Sequence, residues 1–292
     1  GMMAKAEKAL LRPLELLLIM DPQDQVRIQC ARVLGDHRVA EDKLIKALKA
    51  PHARVAMYAG IGLGRIGSVS ALKAVIQRLV ENKRQDRFLE HGLVMALSSM
   101  QNSSLLEHIQ HESKAVRMAV LLAFRKKRDA NLKHFLNDSE KAIRYEAMSA
   151  INDLAIAGAQ EELANQLTKL SKPVSDFEKL MHHRVINANY YLGDLKSAER
   201  LLSYIKRQDL PDSVRQEALA AIQSWNEVAE LDDTTGLPRA DLNRKTQLAS
   251  LLEAEFADLF KASKGKVLAQ VNRLAYKYDY QISESVLFSQ LL

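Results

Sequence analysis

Two adjacent histidines, His182 and His183, are the first residues in this 292-residue chain to suggest chemistry, since an imidazole can ligate a metal or move a proton near neutral pH. Adjacency places them on different sides of a helix, unlike the i, i+4 pair that a zinc-binding helix presents. His108 and His111 with Glu107 could converge near a helix end, but they lack a fourth ligand and read as a solvated polar face. The cluster Gly60, Gly62, Gly64 and Gly67 has the look of a phosphate loop, yet no strand precedes it; small residues at this spacing instead let helices approach closely. Cys30 is the sole cysteine, which excludes an intrachain disulfide and a cysteine-based zinc site, and it falls in an apolar helical pattern where a thiol packs as a small hydrophobe. No Ser-His-Asp set, Cys-His set or acid-base carboxylate pair can be assembled. No catalytic residue, metal ligand or cofactor is therefore assigned, and the chain is not read as an enzyme.

Charge points the same way. The formal net charge is +6, with basic residues spread along the chain, and aromatic residues make up only 5%. The charge permits nucleic acid without indicating it, and the sparse aromatics disfavour a nucleic-acid stacking platform. Arg125-Lys126-Lys127-Arg128 is the densest basic run; at the end of a helix such cations complement the dipole, with contact to an acidic partner or phosphate as the alternative. Trp225 ends a helix and is expected to seal the core.

The elements that would position these residues are helices. With 47% hydrophobic and 27% charged residues, 11 Gly and 6 Pro, the composition favours long helices and short turns. Arg12, Pro13 and Glu15 interrupt the N-terminal apolar run, so neither a signal peptide nor a membrane span is expected there. Gly1 before Met2 and Met3 reads as an expression remnant, with the natural reading frame expected to extend further.

A repeat emerges as an apolar-Arg pair followed by small or apolar residues four and seven places after the arginine. It is plain at Val26-Arg27 with Ala31 and Leu34, Val116-Arg117 with Leu121 and Phe124, Ile143-Arg144 with Met148 and Ile151, and Val214-Arg215 with Leu219 and Ile222. Weaker copies start at Ala56, Glu90 and Val185, and an eighth is expected around Leu268, Asn272 and Ala275. Offsets of four and seven share one helical face, which must be buried. Amphipathic stretches at Leu10 to Met20, Asp42 to Leu48, Val69 to Val80, Gln160 to Leu170 and Leu195 to Ile205 supply a first helix before signature helices. Stacked helical hairpins then form one continuous core. Repeats one to seven are expected over residues 1–231, an irregular loop over 232–240, and C-terminal helices over 241–292, holding the eighth repeat and the start of a ninth.

Asp21, Asp138 and Asp209 each stand six residues before a signature arginine, Arg27, Arg144 and Arg215. We read this as a structural charge ladder, the aspartate capping the second helix and the arginine reaching a neighbouring carboxylate. Arg84 and Glu90 repeat the spacing with the signs reversed.

A turn Asp, a Val-Arg pair six residues later and a following Ala and Leu-Gly resemble HEAT repeats of the short, bilin-lyase-like kind. The implied fold is all-α, an α-α superhelix of the HEAT/armadillo-like solenoid class. Val55 to Gly67, Asp86 to His91, Ala150 to Leu154, Val185 to Gly193 and the Asp232 to Arg239 loop are similar to the HEAT region of large exported bacterial proteins. Those join a sugar-dehydrogenase-like β-propeller to HEAT repeats and a c-type cytochrome domain. The resemblance implies an exported or periplasmic location and an internal segment that spaces or docks neighbours; the chain has no Cys-x-x-Cys-His haem site.

In such arrays the second helices line the concave surface, so contact residues are expected at offsets of two and five from the frame. These are Gln29, Arg32, Tyr58, Gly92, Met95, Glu146, Ser149, Asn187, Tyr190 and Glu217. Tyrosine is favoured at interfaces, making Tyr58 and Tyr190 the anchors. The function expected is a non-catalytic protein-interaction scaffold. The alternatives are a HEAT-like DNA glycosylase, which would need a basic groove with a carboxylate and aromatics, and a bilin-lyase-like pigment chaperone.

Overall fold

The computed structural model describes residues 2–227, 230–238 and 247–282, with side chains from residue 10 onward. Among the described residues every regular element is helical, and the one β-bridge joins Leu231 to Pro238. Two compact units divide the chain at Ile143 and Arg144. Each is a stack of helical hairpins, and the fold class is the all-α, α-α solenoid.

In the first unit the signature helices are α2 (Asp24–Asp36), α4 (Ala53–Ile66), α6 (Arg87–Ser98) and α8 (Lys114–Lys127), each packed against the next. Their partners are α1 (Met2–Met20), α3 (Glu41–Ala47), α5 (Leu72–Asn82) and the short α7 (Asn102–Leu106). The frame residues Ala31, Leu34, Leu63, Leu97, Leu121 and Phe124 are all buried, as the offset rule requires. A 3-10 helix over Ala130–Asn137 replaces the first helix of the next repeat. The reason is spacing. Glu90, Arg117 and Arg144 stand 27 residues apart, and a signature helix of 14 residues leaves room only for a turn or two of the tighter coil.

Glycines set the distance between signature helices. A Cβ on Gly35 would stand 2.5 Å from Gly62 Cα, one on Gly60 2.9 Å from Gly92 O, one on Gly64 2.7 Å from Met95 O, and one on Gly92 2.5 Å from Met57 O. These residues therefore serve backbone approach and not phosphate binding. Gly92, expected at the contact surface, is buried in this packing because its missing side chain is what admits α4. Gly67 does something else. It ends α4 with φ 77°, its N–H and that of Ser68 bonding to Leu63 O, a left-handed cap that a Cβ would strain.

The second unit contains α10 (Gln160–Ala164), α11 (Asp176–Leu192), α12 (Leu195–Ile205), α13 (Asp212–Gln223), α14 (Ala249–Ala262) and α15 (Gly265–Lys277); α9 (Lys141–Asp153) precedes them and contains the boundary. Here α11, α13 and α15 pack in succession. Caps fix the starts: Ser175 accepts from Glu178 N at 3.2 Å while Glu178 accepts from Val174 N at 2.8 Å, and Asp194 accepts from Ser197 N at 2.8 Å. In α15 the buried line runs Val267, Val271 and Leu274, one residue earlier than the expected Leu268 and Asn272, since Asn272 faces solvent. The expected ninth repeat and Arg239 lie outside the described residues.

The ladder residues take several roles. Asp21 and Asp138 each accept from the backbone N–H two residues on, Gln23 and Glu140, at 2.8 Å. Arg27 donates to Asp24 and to Leu18 O, closing the end of α1 at 3.1 Å. Asp138 receives Arg117 in a two-pronged ion pair of 2.7 and 3.1 Å, so a signature arginine does reach the following turn. Asp209 pairs with Arg207 and leaves the start of α13 to Pro211, while Arg215 donates to Ile205 O and Ala262 O, both at 2.7 Å. Arg144 sits half-buried at the start of α9. Glu90, buried, is held by Arg84 at 2.8 Å.

Replacing Gly92 with alanine forces α4 and α6 apart and is expected to cost roughly 1–3 kcal/mol, the usual range for overpacking. The denaturant midpoint of Gly92→Ala against that of the parent chain measures it.

Candidate functional site

A concavity with polar and aromatic walls lies in the second unit, where α11 and α13 run side by side and the 231–238 turn borders them. Its volume is about 190 Å³, and its walls include His183, Asn187, Tyr190, Tyr191, Glu217 and Asp233. On α11, residues 183, 187 and 190 follow the i, i+4, i+7 rule and share one stripe. On α13 and just beyond it, residues 217, 220, 221 and 224 do the same.

Asp232 builds the third wall. Fully buried, its Oδ1 accepts from the Thr234 and Thr235 amides at 2.9 and 2.7 Å and from the Thr235 hydroxyl at 3.0 Å. Its Oδ2 accepts from Asn187 Nδ2 at 2.9 Å, and the same amide reaches Asn152 Oδ1 and Thr234 Oγ1 at 3.1 Å. The turn is closed by Asp232 N donating to Leu237 O at 2.9 Å. The region expected to be an irregular loop is therefore, over its described part, a fastened turn docked on α11.

His183 contacts Glu217 through Nδ1 and Oε1. Burial holds its pKa below the ordinary histidine value, opposed by the nearby Asp233, Asp232 and Asp153 carboxylates and assisted by Arg184. A neutral imidazole must then carry its proton on Nδ1 and donate it, leaving the carboxylate its charge. Arg184 is itself engaged, donating to both oxygens of Asp153 at 3.0 and 2.9 Å. Tyr190 donates to Ser224 O at 3.3 Å and lies edge-on to Trp225, 6.4 Å between centroids, and to Tyr191 at 5.4 Å. Trp225 is fully buried beneath it.

Of the residues selected from the sequence, Asn187, Tyr190 and Glu217 meet here. Asn187 is buried and spends its amide on the turn, so it positions the wall and does not project to a partner. In the first unit Gln29, Arg32 and Tyr58 form a separate cluster, Arg32 reaching Gln29 at 3.5 Å and lying over the Tyr58 ring at 5.4 Å from its centroid. Met95 is met through its sulfur by Lys126 at 2.6 Å. Glu146 is half-buried on α9, and Ser149 contacts the Met181 sulfur at 3.9 Å; neither lines the cavity. His183, Tyr191 and Asp233 were not selected. His183 shares the stripe of Asn187 and Tyr190, a spacing visible in the sequence. The turn that brings Asp233 in has no periodic signal.

The remaining candidates have structural surroundings. His182 is buried, with Nδ1 2.5 Å from the Tyr204 hydroxyl. Cys30 is buried in α2, and burial raises its thiol pKa. Lys127 donates to Asn102 Oδ1 at 2.6 Å and to Met100 O. His111 Nδ1 accepts from Ser113 N at 3.0 Å. Among the described residues no group of three or more His, Cys, Asp or Glu is arranged to hold a metal ion, and no helix is long and apolar enough to cross a membrane.

In comparison with known proteins, residues 11–98 match the family described as HEAT repeats. The matched segment holds the glycine-packed helices α2, α4 and α6. The chain matches no curated protein. Similar solved structures include an engineered protein, 14% identical over 96% of this chain and 86% of that one, with a TM-score of 0.36. Computationally designed armadillo repeat proteins for modular peptide recognition are 17% identical over 73% and 99%, with a TM-score of 0.32. Human deoxyhypusine hydroxylase in complex with glycerol is 16% identical over 96% and 98%, with a TM-score of 0.33. The architecture of the chain is read from its own helices.

Two predictions follow from this geometry. Asp232→Ala leaves the amides it gathered without their acceptor, which is expected to cost about 1–3 kcal/mol and to unfasten the turn; hydrogen exchange at residues 231–237 measures the loosening. His182 gives the pH prediction. Burial takes its pKa from 6.5 to about 4, so between those values the unfolded chain binds the extra proton. Stability present above pH 6.5 is then lost as the pH falls toward about 4. His183 adds to the same trend. Thermal melts across this window should show a steeper loss for the parent chain than for His182→Gln.

Proposed function

We propose that the chain is a non-catalytic protein-interaction scaffold, an internal segment of a larger bacterial protein, exported by its resemblance to the propeller, HEAT and cytochrome assemblies. Its contact residues are Gln29, Arg32, Tyr58 and Met95 in the first unit and Glu146, Tyr190 and Glu217 in the second. The reading is supported most by the cavity in which Tyr190 and Glu217, two positions of the repeat frame, stand together, with Trp225 buried behind the tyrosine. A half-exposed tyrosine backed by Trp225 is the kind of rigid amphipathic anchor that concentrates binding energy. Any redox chemistry of such an assembly belongs to its other domains.

The nucleic-acid alternative is disfavoured at this cavity, where Glu217 and Asp233 would repel phosphate. A pigment is disfavoured at this cavity by size: about 190 Å³ falls below the roughly 300–1,000 Å³ of cofactor-sized sites. A partner captured by photo-crosslinking from Tyr58 or Tyr190 tests the reading. Alanine at both tyrosines should weaken that partner at least about tenfold, a modest loss for two anchors, while helical signal and melting remain cooperative. Unchanged affinity rejects this surface.

A further inference from the structure

The cavity between α11, α13 and the 231–238 turn has a chemistry more specific than a generic contact surface. Glu217 and the exposed Asp233 bring negative charge to it, Tyr190 and Tyr191 bring aromatic faces, and Ile186, Ala220 and Leu231 line the remainder with apolar groups. We propose that it receives the guanidinium end of an arginine side chain presented by a partner protein, with the charge held by Glu217 and Asp233 and the plane against the tyrosines. This rests on the scaffold reading and names the chemistry of its partner.

Three observations favour arginine. The volume of about 190 Å³ fits one long side chain better than a free metabolite. The mixture of carboxylate, aromatic and aliphatic walls matches a planar, weakly hydrated cation on an apolar stem, whereas an ammonium keeps its water more strongly. The chain also uses this pairing within itself, since Arg32 lies over the Tyr58 ring in the first unit. His183 complements the arrangement by donating a hydrogen bond to Glu217, which orients the carboxylate.

Trp225 is the only tryptophan and lies beneath Tyr190, so its emission reports on the cavity. The test titrates N-acetyl-arginine amide and its uncharged isostere N-acetyl-citrulline amide into the full chain, by calorimetry and by Trp225 emission. The expected result is saturable binding of the arginine compound with a matching change in emission, at least about tenfold weaker for citrulline, as for loss of a charge-assisted contact. Asp233→Asn, an exposed change that leaves both rings in place, should weaken arginine several-fold; Glu217→Gln should weaken it further. Equal response to citrulline, heat without a change in emission, or no binding at tens of millimolar overturns the proposal. A partner whose affinity falls with alanine at Tyr190 but not with Asp233→Asn would keep the scaffold and reject the arginine.

Discussion

A helical hairpin of this composition has more apolar surface than its two helices can cover, and everything else follows from how that surplus is hidden. In the first unit the answer is backbone proximity: Gly35 meets Gly62, Gly60 meets Gly92, and Gly64 meets the carbonyl of Met95. With this close approach Leu63, Leu93 and Leu97 are fully buried. The second unit achieves the same with aromatic volume, Trp225, Phe256 and Phe260 filling what glycine closes elsewhere. Repeats built on one frame thus differ in what fills the space between their helices.

Where the cavity forms, polar groups are drawn into the interior and each is held. Asp232 gathers backbone amides and the Asn187 side chain, and Asn187 ties the turn to Asn152. A buried carboxylate without such donors would be far costlier than the turn could sustain. The result is a wall of fixed position carrying Asp233 outward, opposite Glu217 and the tyrosines. Rigid placement of a few polar groups over an aromatic floor is what separates a recognition site from an ordinary crevice.

The signature helices were legible in the sequence because burial imposes a strict period, and Ala31, Leu121, Ile151 and Leu219 declare it. The glycine cluster was legible for the same reason, since no strand preceded it. The first helices were less so. Over Ala130–Asn137 the chain forms 3-10 turns, a matter of residues available between frames and not of pattern, and the 3-10 turns at Asn165–Lys169 have no such explanation. In α15 the four-and-seven spacing points to Asn272, yet it is exposed, whereas Asn189 at the matching place in α11 is buried and bonds to Ala164 O and Val185 O. Tyr190 and Glu217 could be chosen from offsets, but the turn that completes their site rests on Asp232 hydrogen bonds that no periodicity encodes.

The pairing of Arg117 with Asp138 has a mechanical meaning. The arginine belongs to one signature helix and the aspartate to the turn that launches the next, and both side chains are nearly buried. Opening either repeat alone would strand an ion away from water, a penalty of about 3–5 kcal/mol. Neighbours joined in this way yield together, so a pull on the chain would be resisted by the two as one latch, with the slack taken up first in repeats that lack such a clasp.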